Sequence, residues 1–99
     1  MAKYDIQFTE GALEDLAWFK KREQNEIRDG IFDHLEYEPT MATRNRKRTR
    51  PNETAEWELR LGRFRVFYDV DQSVLIVAIE AIAEKKGSLL FFQGEEREL

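Results

Sequence analysis

The sequence predicts an α+β fold: two N-terminal helices packed on one face of a small, mainly antiparallel sheet, in the order β-α-α-β-β-β. Three observations carry this. Two alternating runs, Glu56 to Leu61 and Phe64 to Val70, flank the pair Gly62-Arg63. Two stretches with apolar residues at helical spacing precede them. A nearly all-apolar run, Val74 to Ile82, follows. Period-two alternation marks half-buried strands, and a period near 3.6 marks amphipathic helices. A length of 99 residues with 41% hydrophobic content predicts one domain over residues 1–99 with a single modest core.

Taken in order, Tyr4, Ile6 and Phe8 alternate with polar neighbours, so residues 3–8 read as a first strand. Thr9 is placed to cap a helix from about Glu10 to Arg22, with Glu10 favourable in its first turn. Leu13, Leu16, Ala17 and the stem of Lys20 line its inner side, with Phe19 nearby. Trp18 lies off that stripe, where it can mark a partner surface. A second helix runs from about Gln24 to Glu36, with Ile27, Ile31, Phe32 and Leu35 on one face and Pro39 closing the segment. Gly30 within it costs about 1 kcal/mol relative to alanine.

Met41 to Thr54 is a polar connection centred on R-N-R-K-R-T-R. Five bases in seven residues repel one another, so a solvated, flexible loop is expected. Such a loop can also close over a phosphate backbone.

Next comes the hairpin. A two-residue loop at Gly62-Arg63, as in a type II′ turn, sets Leu61 opposite Phe64, Arg60 opposite Arg65, Leu59 opposite Val66 and Trp57 opposite Tyr68. The apolar residues then share one face. The other face sets two arginines side by side, which is unfavourable unless an anion lies close. Glu58, diagonal to Arg65, is one candidate; a phosphate gripped by a guanidinium is the other. After a turn at Asp71-Gln72-Ser73, the apolar run reads as a central strand interrupted by Glu80. It ends near the basic pair Lys85-Lys86. Leu89 to Phe92 reads as a short last strand or packing segment, and Gly94 to Leu99 as a mobile acidic tail.

The net charge is −4, but its distribution is uneven. Thr43 to Arg65 holds 8 bases and 3 acids, a net of +5, whereas the rest holds 8 bases and 17 acids, a net of −9. A basic patch on an acidic body can focus an anion at one place. There is no cysteine, and His34, the single histidine, falls among apolar residues of the second helix. No metal or cofactor is expected, since ligand spacing of the known kinds is missing. The N-terminus lacks a signal-peptide core, and no apolar run is long enough to span a bilayer. These features predict a cytoplasmic protein without a membrane partner.

The run L-x-x-G-R-F-R-V-F-Y-D-V resembles the signature hairpin of the RelE/ParE toxin superfamily of bacterial type II toxin–antitoxin systems. The motif positions are Gly62, Phe64, Arg65, Val66 and Tyr68, and the similarity covers nearly the whole chain. The resemblance implies a ribosome-dependent mRNA endonuclease held in check by a cognate antitoxin protein. It also implies, as alternatives, an inhibitor of DNA gyrase or a silent module that binds an antitoxin. For the nuclease, Arg65 would stabilise charge on the scissile phosphate, aided by Lys85 or Lys86. Arg44, Arg46, Lys47, Arg48, Arg50, Arg60 and Arg63 would hold the RNA. The proton-transfer groups depart from the family pattern. Glu56 and Glu58 stand where lysines are expected, and Phe91 or Phe92 where a tyrosine is expected. Glu58 can serve as the base instead. Trp18, Phe67 and the basic face are the expected landing points for the antitoxin, whose acidic residues would complement Arg44 to Arg50.

Overall fold

The structure, a computed structural model, describes residues 1–99. In chain order it contains β1 (Asp5–Phe8), α1 (Glu10–Trp18), α2 (Lys21–Leu35), β2 (Arg46–Arg48), β3 (Trp57–Leu61), β4 (Phe64–Asp71), β5 (Ile76–Lys86), β6 (Leu89–Phe92) and β7 (Glu95–Glu96). The expected β-α-α-β-β-β order is present as β1, α1, α2, β3, β4 and β5; the segment Leu89–Phe92 forms the further strand β6, and β2 and β7 are added. The sheet runs β2-β3-β4-β5-β6-β7, and β1 joins it by pairing with β5. Strand β5 is the hub. Strand β4 runs antiparallel along one edge, while β1 lies parallel to residues 76–79 and β6 antiparallel to residues 84–86 on the other.

The β3–β4 register is the expected one in every pair, from Trp57 opposite Tyr68 to Leu61 opposite Phe64. Gly62 turns the corner at φ +58°, which glycine adopts without steric cost, and Arg63 stays out of the positive region. One face of the sheet meets the two helices in a core of 14 buried residues, including Ile27, Ile31, Leu35, Leu59, Val66, Tyr68 and Ile79. Trp57 and Tyr68 stack at 6.2 Å between centroids, and the Tyr68 hydroxyl donates to the Pro39 carbonyl at 2.7 Å. Burial pushes that phenol's pKa well up.

Several expectations are corrected. The first helix ends four residues early, at Trp18, because Phe19 turns into the core. Helix α2 starts at once, with the Lys20 N–H donating to Glu23 Oε1 at 3.1 Å. The buried residues of α1 are Ala12, Asp15 and Leu16, with Phe19 buried just past its end; Leu13 and Ala17 face solvent. Phe32 is likewise exposed, while Ile27, Ile31 and Leu35 are fully buried. Gly30 has a packing reason: a Cβ there would lie 2.6 Å from the Leu61 side chain.

The segment read as a flexible loop is ordered. Arg46–Arg48 pairs with β3, and Asn52 ties the following turn together. Its amide donates to Thr49 Oγ1, the Arg50 carbonyl and the Ala55 carbonyl at 2.7–3.0 Å, and accepts from the Thr54 and Ala55 N–H groups. The acidic tail also forms a strand, with Glu96 opposite Phe91 and Glu95 opposite Phe92.

Glu80 does interrupt β5. Phe67 faces Ala81 but Tyr68 faces Ile79, so Glu80 is the extra residue of a β-bulge. Beside it, the β5 edge has passed β1 and not yet reached β6. Thr9 Oγ1 and Asp15 fill that gap: the hydroxyl donates to the Glu80 carbonyl at 3.4 Å, and Asp15 accepts from the Ile82 N–H at 3.0 Å.

Candidate functional site

The second face of the sheet is not bare. Phe67, expected to be exposed because it alternates with the core residues, is fully buried there with Ala55, Ala81, Ala83 and Phe92. The β6–β7 segment covers it. The alanines leave room for the two phenylalanine rings, which lie 5.9 Å apart.

Beside this small cluster runs a cleft of about 890 Å³. One wall is Arg48 to Asn52, the other is Ser88 to Leu90 with Glu96 to Leu99, and Glu58 and Arg60 lie between them. The cleft thus brings together Arg50 and Arg60, with Arg97 on the opposite wall; Arg48 borders it, but its guanidinium lies over Trp57.

Glu58 is the anion that the sequence called for. It accepts from Arg60 Nε at 3.1 Å and lies 3.8 Å from Arg65 Nε. The two arginines differ sharply. The Arg60 side chain is 41% exposed and that of Arg65 12%. Arg65 folds back over its own turn, donating from Nη1 to the Gly62 and Phe64 carbonyls at 2.5 and 2.8 Å. Its Nε is buried without a hydrogen-bond partner. Burial lowers the Arg65 pKa, against the pull of Glu58 and with the push of Arg60.

The remaining candidates fall into three groups. Arg63 and Arg46 are structural. Arg63 bridges Glu23 of α2 and Glu84 of β5, the latter at 3.0 Å, and stacks on Phe64. Pairing with Glu23 raises its pKa. Arg46 donates to the His34 and Met41 carbonyls at 2.6 and 2.8 Å, which fastens β2 to the end of α2. Exposed and near the cleft are Arg48 and Arg50. Arg48 lies over Trp57 and pairs with Glu56 at 3.7 Å, across exposed surface where such pairs add little. Arg44 is exposed, and Lys47 sits opposite Glu58 in the β2–β3 ladder. The lysines divide by strand alternation. Lys85 shares the face of Ala81 and Ala83, the arginine side, whereas Lys86 falls on the other face, over Phe91.

Two residues that matter here were missed. Asp15 is buried, and it accepts from Gln93 Nε2 at 2.8 Å as well as from Ile82. Its signal was the spacing 12-15-16-19, which fits a helical stripe once an aspartate is allowed into it. Asn52 follows Pro51, a turn signature that pointed to an organised loop.

An arginine-bearing hairpin on a sheet backed by two helices defines the class: small toxins of the RelE/ParE superfamily. A family model described as the ParE toxin of the type II toxin–antitoxin system parDE matches residues 6–85, so the chain belongs to that family of toxins. Among solved structures, the toxin–antitoxin complex RelBE2 from Mycobacterium tuberculosis contains a similar chain. It matches with a TM-score of 0.75 and 26% identity over 86% of this chain and 94% of that one. A chain of the archaeal RelE–RelB complex from Pyrococcus horikoshii is similar in fold, with a TM-score of 0.66 and 21% identity over 88% and 98%. Among curated proteins none matches this sequence.

Proposed function

We propose that this toxin cleaves mRNA on the ribosome and that a cognate antitoxin neutralises it. The observation that carries the reading is Glu58 set against Arg60 in a cleft that Arg50 and Arg97 also line. Glu58 takes the proton of an RNA 2′-OH as that oxygen attacks the adjacent phosphorus. Arg60 stabilises the negative charge that gathers on the phosphorane. The 5′ oxygen leaves with a proton from water, which yields a cyclic phosphate and a 5′-hydroxyl end. Arg65 acts from behind, holding Glu58 and the hairpin turn, and Lys85 adds positive charge to the same face. No metal takes part in these steps.

The antitoxin contributes an acidic segment that faces Arg44, Arg48 and Arg50, with exposed Trp18 as a separate apolar landing point. Phe67 drops out of that surface because it is buried.

The test is inducible expression of the chain alone in a bacterial host, with primer extension on reporter mRNAs. Cuts within translated codons that vanish with Glu58→Gln and Arg60→Ala support the reading. Cuts that persist in folded Glu58→Gln remove the carboxylate from the chemistry. One observation favours a second reading, inhibition of DNA gyrase. Arg65, the arginine of the hairpin motif, is turned onto its own carbonyls and is not offered to a phosphate. Growth arrest with intact mRNA, together with lost supercoiling activity in vitro, selects it.

A further inference from the structure

Arg65 Nε is the one buried side-chain donor or acceptor in this chain that has no hydrogen-bond partner. A buried N–H without an acceptor is destabilising, and folded proteins keep few of them. Glu58 is close but not in contact. Its Oε2 lies 3.8 Å from Arg65 Nε, outside the hydrogen-bond range of roughly 2.7–3.2 Å. That oxygen accepts no hydrogen bond, while Oε1 accepts from Arg60 Nε at 3.1 Å. Arg65 is not free to close the gap, because its Nη1 donates to the Gly62 and Phe64 carbonyls. Glu58 has to travel about 1 Å to reach it, and the bond to Arg60 is what holds Glu58 back. Arg60 carries a conflict of its own. A guanidinium grips a phosphate with two parallel N–H groups. The fork that includes Nε is taken by Glu58, although the Arg60 side chain is 41% exposed and lines the cleft.

We propose that Glu58 changes partners when the cleft fills: a phosphate of the RNA backbone takes Arg60 Nε, and Glu58 passes from Arg60 to the unpartnered Nε of Arg65. Arg65 is then a positioning residue that touches no substrate atom. The hand-over rests on the cleft being the anion site proposed above. It has two effects. The bond gained at Arg65 offsets the bond lost at Arg60, so the phosphate displaces Glu58 at little expense. Oε1, held by Arg60 in the free chain, is released to accept the proton of the 2′-OH. The base is therefore freed by the arrival of the substrate.

The experiment uses the full chain and an RNA that cannot be cut, a single-stranded 2′-O-methyl 20-mer. Its fluorescein-labelled form is titrated by anisotropy at fixed salt, and its unlabelled form is added while the arginine Nε–H resonances are followed by NMR. The Arg65 Nε–H resonance is expected to move downfield as the RNA saturates the chain, the sign of a new charge-assisted hydrogen bond. In Glu58→Gln it is expected to move far less. Arg65→Gln is expected to weaken binding roughly ten-fold in the parent. In the Glu58→Gln background the same substitution is expected to weaken it less than about three-fold, through loss of charge alone. Equal losses in the two backgrounds would mean that Arg65 grips the RNA directly, and the hand-over falls. It also falls if the Arg65 resonance stays in place while Arg60→Ala abolishes binding, an outcome that keeps the cleft. If Arg60→Ala leaves binding unchanged, the cleft and the hand-over fall together.

Discussion

The two faces of the sheet solve different problems. The helix-covered face buries large side chains from β3, β4 and β5 against Ile27, Ile31 and Leu35. The opposite face has five buried residues, three of them alanine, and spends the rest of its area on Lys47, Glu58, Arg60, Arg65 and Lys85. Apolar burial is worth about 25 cal/mol per Å², so the first face carries the stability. The second keeps charged groups half out of water, at a cost the first face must offset. This division lets chemistry vary on one side of the sheet without unfolding the other. It also explains why Arg65, in the middle strand, is drawn into structural contacts while Arg60, one strand nearer the edge, stays available.

Substitutions can sharpen or break this comparison. The largest effect is expected at Ile31→Ala, which removes a fully buried side chain under the sheet and should lower unfolding free energy by roughly 2–5 kcal/mol in urea titration. Arg60→Ala on the other face should stay within about 0.5 kcal/mol of the parent while losing anion binding. A cost for Arg60→Ala as large as that for Ile31→Ala would erase the distinction. Next is Asn52→Ala, which strips the amide that organises the basic wall and should cost roughly 1–3 kcal/mol. Faster amide exchange at Thr54 and Ala55 would report the loosened turn. Tyr68→Phe leaves the Pro39 carbonyl without its donor and should cost about 1 kcal/mol by the same titration.

The smallest effect is electrostatic. Burial and the neighbouring Asp69 raise the Glu80 pKa above 4.5. A carboxyl whose folded pKa is raised is held less well as an anion in the folded state, so its ionisation destabilises the protein at neutral pH. Glu80→Gln should therefore raise the melting temperature at pH 7. The gain should fade as the pH falls through the raised pKa and be lost below 4.5, where Glu80 is protonated in both folded and unfolded chains. An unchanged melting temperature at pH 7 would mean that the bulge relieves Glu80 by solvation.

The hairpin was legible because alternation and turn chemistry agree there; a slip of one residue would have exposed Trp57, Leu59 and Val66 together. The helix ends and the stripe of α1 were less legible. Phe19 could as well have continued the helix, and an aspartate reads as a surface residue until a free strand N–H is known to face it. Phe67 was misplaced for a similar reason. Alternation shows that it lies opposite the core face but not that a later segment folds over it.

By itself, then, the sequence determined the order of elements, the hairpin register, the basic segment and the family signature. All of these depend on residues close together in the chain. The tertiary structure alone decided which charges are free. Arg46, Arg63 and Arg65 are claimed by carbonyls and carboxylates from α2, β5 and the turn, while Arg60 is left at the cleft beside Glu58. It also brought Arg50 and Arg97, more than forty positions apart along the chain, to the lining of one cleft. The physical reason is the range of each effect. Propensity and periodicity act over a few residues, whereas the partner of a guanidinium is whatever oxygen the packed chain brings within hydrogen-bond reach.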